Sequence, residues 1–279
     1  MPTYNDLLNK YRKAFEGDYN TLKAFLFELC NEYEIDLYLK KDKEADERVT
    51  DKFEAGIKRL MEGEPLNYVL GYSYFYGYKL LVDKEVLIPR YETEELVGKI
   101  LANYDRYFKG EKIKVADIGT GSGAIAIALK KEEGNMDIVA SDISSAAIEV
   151  AKKNALNNKA DIEFMVGSML DPLIEKGIKL DILVSNPPYI KQDETLEHSV
   201  KDYEPHVALF GGEDGLKFYR QIFEKANLVL KDKSMLFFEI GYDQKENLTK
   251  LARQYFKDAE IEVFKDINNK DRMLMIRNF

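Results

Sequence analysis

The chain opens with three stretches in which apolar residues return every three or four positions. Tyr4, Leu7, Leu8, Tyr11, Ala14 and Phe15 make the first, behind Thr3 as a cap. Leu22, Phe25, Leu26, Leu29 and Tyr33 make the second. Phe53, Ile57, Leu60 and Met61 make the third, with Thr50 as N-cap and Gly63 and Pro65 as stop signals. Each pattern gathers its apolar side chains on one helical face, so the segment predicts a small bundle whose inner faces meet. From Tyr72 to Val82 the pattern changes: aromatic and β-branched residues cluster around Gly77, which predicts a hairpin. Pro89-Arg90 then lead into Glu92–Glu95, an acidic run suited to the positive end of a helix.

After residue 110 short apolar runs alternate with helical ones. Lys112–Ile118, Ile138–Asp142, Ile162–Val166, Leu180–Asn186 and Met235–Ile240 read as strands. Ala124–Lys131, Ser144–Asn157 and Gly215–Leu230 read as helices between them. This rhythm predicts an α/β fold with a doubly wound, mostly parallel sheet. Ile261–Ile267 and Met273–Ile276, joined by Asn268-Asn269-Lys270-Asp271, predict a C-terminal antiparallel hairpin. The expected organisation is a helical domain over residues 1–71, a hairpin linker over 72–86 and a sheet domain over 87–279.

Composition narrows the function classes. The 279 residues are 45% hydrophobic and 33% charged, ordinary for a soluble cored protein. No apolar run is long enough to span a membrane, and the N-terminus lacks the layout of a secretory signal. Cys30 is the only cysteine, so a cytoplasmic, reducing setting is expected. The net charge of −9 argues against direct docking on nucleic acid, which calls for a basic surface. His198 and His206 lack metal-ligand spacing, so both are expected to be ordinary loop residues and no metal is expected. A monomer is expected.

Two segments carry candidate chemistry. In the first, Asp117-Ile118-Gly119-Thr120-Gly121-Ser122-Gly123-Ala124 closes one strand and opens a helix. Glycines there permit a tight turn and a close ligand approach, and roughly 20 residues on Asp142 ends the next strand, where a carboxylate can take both hydroxyls of a ribose. Nicotinamide and methyl-donor enzymes share these features. Asp117 favours the methyl donor: a carboxylate there repels a pyrophosphate but helps orient the ammonium end of S-adenosylmethionine.

The second segment, Asn186-Pro187-Pro188-Tyr189, ends the strand Leu180–Ser185. Two prolines remove two backbone donors and hold their predecessors extended, so sheet pairing stops and the freed carbonyls are fixed in direction. The Asn186 side-chain oxygen adds an acceptor. Such a site suits a planar NH2 group, its hydrogens taken by two acceptors while Tyr189 packs on its face. Glycine loop and tetrapeptide both follow the carboxyl ends of strands, where ligands bind in open α/β sheets.

Taken together these residues resemble class I, Rossmann-like methyltransferases with an Asn-Pro-Pro-Tyr motif, and more closely the peptide chain release factor glutamine methyltransferases (PrmC/HemK family). The resemblance extends through Gly63-Glu64-Pro65-Leu66, Tyr68, Gly71, Phe75 and Gly77, then Leu87-Ile88-Pro89-Arg90 and Glu92-Thr93-Glu94. It continues through Glu204-Pro205, Ala208-Leu209, Gly211-Gly212, Asp214-Gly215-Leu216, Tyr219-Arg220, Glu239-Ile240-Gly241, Gln244 and Asp271-Arg272. It implies methyl transfer from S-adenosylmethionine to the side-chain amide nitrogen (N5) of the glutamine in the Gly-Gly-Gln motif of class 1 release factors. It further implies a helical N-terminal substrate-recognition domain and a C-terminal methyltransferase domain. By position, Asp117, Gly119, Thr120, Gly121, Ser122 and Gly123 would bind the donor, Asp142 its ribose, and Ser168-Met169 would flank its adenine. Asn186, Pro187, Pro188 and Tyr189 would receive the glutamine, with Asn186 also touching the donor and Asn186, Pro187 and Tyr189 catalytic. Two departures from the pattern are Tyr91, where proline is usual, and Met169, where an aromatic is frequent. The competing readings are a ribosomal-protein glutamine, or an exocyclic amine of a nucleic-acid base extruded from its stack, as the acceptor.

Overall fold

The structure, a computed structural model, describes residues 2–15, 17–195 and 197–279. Its backbone contacts divide into two units, Met1–Gly71 with Leu196–Tyr203, and Tyr72–Thr195 with Glu204–Phe279.

The first unit is helical. Helix α1 (Tyr4–Tyr11) is capped by Thr3, whose hydroxyl accepts from the Asp6 amide while the Asp6 carboxylate returns to the Thr3 amide. It stops at Tyr11, so Ala14 and Phe15 continue the apolar stripe from a turn. Helices α2 (Tyr19–Glu32) and α4 (Glu47–Met61) flank a short α3 (Leu37–Lys40), and α5 (Leu66–Leu70) follows. Leu22, Phe25, Leu26, Phe53 and Ile57 form the core of the unit, with Phe25 and Phe53 stacked at 5.4 Å. The cap of α4 differs from expectation. Asp46, not Thr50, accepts from the first turn, and Thr50 lies inside the helix with its hydroxyl on the Asp46 carbonyl. Val49 is buried on the same face as Phe53, so the apolar stripe begins one turn earlier than Phe53 suggested.

In the second unit, β1 (Tyr72–Phe75) and β2 (Tyr78–Leu81) form the hairpin around Gly77. Next come α6 (Tyr91–Tyr107), β3 (Ile113–Ile118), α7 (Ala124–Glu132), β4 (Met136–Asp142), α8 (Ser145–Asn157), β5 (Ile162–Val166), α9 (Asp171–Glu175) and β6 (Leu180–Ser185). Helix α10 (His198–Tyr203) belongs to the first unit, where the Tyr203 hydroxyl donates to the Glu62 carbonyl at 2.8 Å. His198 therefore opens a helix, paired with Asp202 one turn on, and His206 lies in a 3-10 turn. The loop reading of both is corrected: a carboxylate one turn away and the preceding Pro205 favour local helical turns. Helix α11 (Lys217–Ala226), β7 (Leu230–Glu239), α12 (Lys245–Tyr255), β8 (Glu260–Lys265) and β9 (Asp271–Asn278) complete the chain.

Seven strands form one sheet in the order β5-β4-β3-β6-β7-β9-β8. The first five lie parallel, and the terminal hairpin adds β9 antiparallel to β7. Val115, Ile138, Ile182 and Phe237 pack on one face against α6 and α7; Ala116, Val139, Leu183 and Leu236 pack on the other against α11 and α12. This is the doubly wound sheet of class I methyltransferases. Strand β7 begins at Leu230 rather than Met235, through a polar stretch, Lys231 to Lys233, that hides its strand character. Helix α11 is correspondingly shorter than expected, because Gly215 holds φ +74° and cannot extend it N-terminally.

The chain winds outward from β3 through β4 and β5, then returns to place β6 on the other side of β3. The order reverses there, and a crevice opens beyond the carboxyl ends of β3 and β6. Ile118 and Ser185 are paired across these strands, and the Ser185 hydroxyl donates to the Ile118 carbonyl at 2.6 Å. Gly119 and Asn186 are the next residue of each strand.

Candidate functional site

Two neighbouring cavities lie at that reversal, both within the second unit. The larger is lined by Gly119, Gly121, Asp142, Ser168, Met169, Asn186 and Pro188, among others. The smaller is lined by Arg90, Asn186, Pro187, Pro188, Tyr189 and Glu239, with Leu87, Ala208 and Leu209. Asn186 and Pro188 border both.

The glycine loop owes its shape to backbone capture by β4. The amides of Gly119 and Thr120 both donate to the Ser141 carbonyl, at 2.8 and 3.0 Å. Gly121 donates to Asp142 Oδ2 at 2.9 Å and Ser144 to Asp142 Oδ1 at 2.9 Å. Each Asp142 oxygen thus keeps lone-pair capacity toward the cavity it lines. Burial raises the Asp142 pKa, and the Ser144 and Gly121 amides act against that rise. Gly119 and Gly121 have positive φ, and a Cβ on either would meet nothing within 4 Å. Both therefore present open backbone to the cavity.

Asp117, Thr120, Ser122 and Gly123 do not line the cavity; they build the loop beneath it. Asp117 is 1% exposed and its Oδ2 accepts from the Thr120 hydroxyl at 2.6 Å. Its Oδ1 is buried with no hydrogen-bond partner among the described residues. Burial pushes the Asp117 carboxyl up to about 7. The Ser122 carbonyl is held by Asn154 of α8, fully buried, whose side chain also brackets Leu81 of β2 in both directions. Asn154 escaped the sequence reading because a lone polar residue in a helix carries no pattern. At the far wall Met169 holds φ +45°, a strained conformation for a residue with a side chain, of the kind that collects at ligand sites.

Beyond β6 the tetrapeptide leaves the sheet as its prolines require, since Ser185 is the last residue paired with β7. No described residue donates to the Pro187 or Pro188 carbonyl. The Tyr189 carbonyl accepts from Gln244 Nε2 at 3.1 Å, and Ile190 pairs with the segment after the 3-10 turn. Gly211 and Gly215 back this loop. A Cβ on Gly211 would sit 2.6 Å from the Pro188 carbonyl oxygen, and one on Gly215 would sit 2.4 Å from that of Tyr189. The Gly211–Gly215 segment supports the tetrapeptide from behind.

At the smaller cavity Thr93 and Glu239, to which the sequence reading gave no role, form a polar cluster with Asn186 and Tyr189. Asn186 Nδ2 donates to Thr93 Oγ1 at 3.2 Å, and Thr93 Oγ1 lies 2.5 Å from Glu239 Oε2. The Tyr189 hydroxyl donates to Glu239 Oε1 at 3.2 Å. Burial raises the Glu239 pKa, opposed by Thr93, the Arg272 charge and Tyr189. Burial also raises the Tyr189 phenol, which keeps its proton. Arg90 pairs with the buried Glu204 at 2.5 Å, whereas Arg220 pairs with Asp214 at the surface. Only the first of these arginines lines a cavity. Tyr91 is exposed at the first position of α6, where proline would fit equally well.

Comparison with known proteins finds family matches along the chain. The family model Methyltransferase small domain matches residues 99–202, and PrmC N-terminal domain matches residues 21–71. A release factor glutamine methyltransferase of Bacillus cereus is 46% identical over 240 residues, covering 85% of each chain. One of Francisella tularensis is 40% identical over 265 residues, covering 93% of this chain and 92% of its own. Among solved structures, the Thermus thermophilus 16S rRNA N2 G1207 methyltransferase, in complex with AdoMet and guanosine, superposes with a TM-score of 0.50. It is 15% identical and covers 75% of this chain and 50% of its own, a likeness of fold.

Proposed function

Because the chain belongs to the release factor glutamine methyltransferase family, we propose that the two cavities hold, in order, S-adenosylmethionine and the glutamine side chain of a class 1 release factor. The enzyme methylates a release factor glutamine; the Gly-Gly-Gln motif and the N5 atom are the finer reading. What carries the assignment to these residues is Asn186, which borders both cavities one residue beyond the β3–β6 pair.

The residues present fit the donor. Gly119 and Gly121 offer a side-chain-free wall, Asp142 offers free lone pairs for a ribose diol, and Ser168 and Met169 line the same space. The unpartnered Asp117 Oδ1, beneath the loop that lines this space, suits an ammonium group through one water. When bound, the donor supplies an electrophilic methyl. The rest belongs to the protein. An amide nitrogen is a poor nucleophile because its lone pair is delocalised into the carbonyl. Asn186 Oδ1 and the rigid Pro187 carbonyl can each take one hydrogen of the NH2 group, which returns electron density to nitrogen. Tyr189 packs beside it. Fixed acceptors next to the donor cavity make the reaction effectively intramolecular. A ribosomal-protein glutamine and an exocyclic base amine are disfavoured as acceptors by the family match in both units.

The helical unit, residues 1–71, is proposed to contact the release factor, leaving residues 87–279 to perform the transfer beyond the linker at 72–86. The test is incubation with labelled donor and either wild-type release factor or one with its Gly-Gly-Gln glutamine substituted. Label on the wild-type protein alone is expected. Equal label on both, or label on duplex DNA, overturns the reading.

A further inference from the structure

An asparagine amide has a donor end and an acceptor end of nearly equal shape, and only the acceptor end can help a substrate NH2 group. Something must hold Asn186 the right way round. The tetrapeptide backbone cannot, because it fixes where the side chain starts and not how its amide is turned.

The cluster at the smaller cavity supplies the missing constraint. Thr93 and Glu239 are buried, 5% and 2% exposed. A threonine hydroxyl has one proton, and an ionised carboxylate only accepts. Thr93 Oγ1 lies 2.5 Å from Glu239 Oε2, so its proton is committed there. Its lone pairs are all it can offer Asn186, 3.2 Å away. Only the NH2 end of Asn186 can answer them, and Oδ1 is left for the cavities that Asn186 lines. The other Glu239 oxygen is occupied by the Tyr189 hydroxyl at 3.2 Å, so one carboxylate orders both ends of the tetrapeptide. Arg272, on β9 beside β7, supplies positive charge to the same carboxylate.

We infer that Thr93 and Glu239 are positioning residues for the methyl transfer, a polarity relay that turns the Asn186 amide oxygen toward the substrate nitrogen. The inference rests on the reading of Asn186 as the acceptor for that nitrogen. Thr93 lines neither cavity, and Glu239, though it borders the smaller one, has both oxygens committed to Thr93 and Tyr189, so each acts through Asn186 or Tyr189. The relay has a direction, set by the charge at its buried end. Replacing Thr93 by a residue of the same shape without a hydroxyl leaves the space filled and the direction unspecified.

The experiment is a mutant cycle in the full-length enzyme with purified release factor and labelled donor. Thr93→Val, Thr93→Ser, Asn186→Ala and Thr93→Val/Asn186→Ala are compared for kcat and for KM of each substrate. Thr93→Val is expected to lower kcat about 10- to 100-fold, the scale of one misdirected polar group, with KM for the methyl donor within about threefold. Thr93→Ser, which keeps the relay, is expected to recover kcat to within about threefold of wild type. In the Asn186→Ala background Thr93→Val should cost less than about twofold, because the residue it acts through is already gone. The same loss in both backgrounds overturns the relay, as does near-normal turnover of Thr93→Val. Near-normal turnover of Asn186→Ala instead removes the underlying reading of Asn186. Should Thr93→Val fail to fold, Glu239→Leu tests the same point: it leaves Thr93 no acceptor, frees its proton to turn toward Asn186, and wild-type kcat in that variant overturns the relay.

Discussion

Asp117 is a carboxyl built into the fold at a cost that depends on pH. It is 1% exposed beneath the glycine loop, and burial raises it from the ordinary value of 3.8 to about 7. In the unfolded chain the group is ionised above pH 3.8, while in the fold it keeps its proton until about 7. Across that interval the folded state binds the extra proton, so stability falls as pH rises. The loss amounts to about 1.4 kcal/mol per pH unit and saturates near 4 kcal/mol above pH 7. Asp117→Asn removes the titration while keeping an oxygen for the Thr120 hydroxyl. The new NH2 replaces the unpartnered Oδ1 and costs about 1–3 kcal/mol at every pH. Denaturant unfolding of the ligand-free variant and wild type, from pH 4.5 to 8.5, separates the two effects. The stability of the variant relative to wild type is expected to climb through the interval and level off above pH 7. Asp142 and Glu239 also carry raised values, yet they are common to both proteins and cancel in the difference. A difference that stays flat from pH 5 to 8 refutes the buried proton.

Further outcomes follow from the same geometry. Asn186→Ala is expected to leave donor affinity within a few-fold while kcat falls by about two orders of magnitude; equilibrium binding of S-adenosylhomocysteine together with turnover checks both halves. Turnover should decline on acidification through the raised Glu239 pKa, since a protonated Glu239 can donate to Thr93 and free Asn186 to turn. Tyr189, Arg272, Tyr219 and Glu92 set the field at that carboxyl, and a pH–kcat profile unchanged by Glu239→Gln would contradict the assignment. Gly215→Ala places a Cβ 2.4 Å from the Tyr189 carbonyl at φ +74° and is expected to cost about 1–3 kcal/mol of stability and to depress kcat. Asn154→Ala strips the Ser122 and Leu81 backbone of three bonds and should lower unfolding free energy by about 3 kcal/mol.

Where one residue's chemistry dictates the backbone, the sequence was readable. Thr3 caps α1, Gly77 turns the first hairpin, and the prolines at 187 and 188 end β6 at Ser185. The parallel sheet was visible because its strands are apolar on both faces and so stand out as short continuous runs. Strand β7 was half hidden because its first turn is polar, and the cap of α4 was misplaced because Val49 was passed over as the start of its stripe. The two candidate segments were legible as strand ends. What could not be read was adjacency across the fold: Thr93 precedes Glu239 by 146 positions, and although both stand in segments that carry the family resemblance, nothing in the sequence pairs one with the other. A buried carboxylate has meaning only through the groups that surround it, and no periodicity records those.

The cluster also bears on how the transferred proton leaves. Glu239 is the carboxylate nearest the tetrapeptide along the smaller cavity, and it invites assignment as a general base. Its surroundings argue otherwise. One oxygen is committed to Thr93 and the other to Tyr189, and the group is 2% exposed behind both. To take a proton it would have to release the two bonds that orient the site. A base is not required before transfer, because the nitrogen reacts through its lone pair; after methylation that nitrogen is strongly acidic and loses its proton to water or any weak acceptor. The burial that makes Glu239 look reactive instead serves direction. A fixed negative charge at the closed end of a two-bond relay costs desolvation, and what it returns is a single orientation of the one amide that faces both cavities.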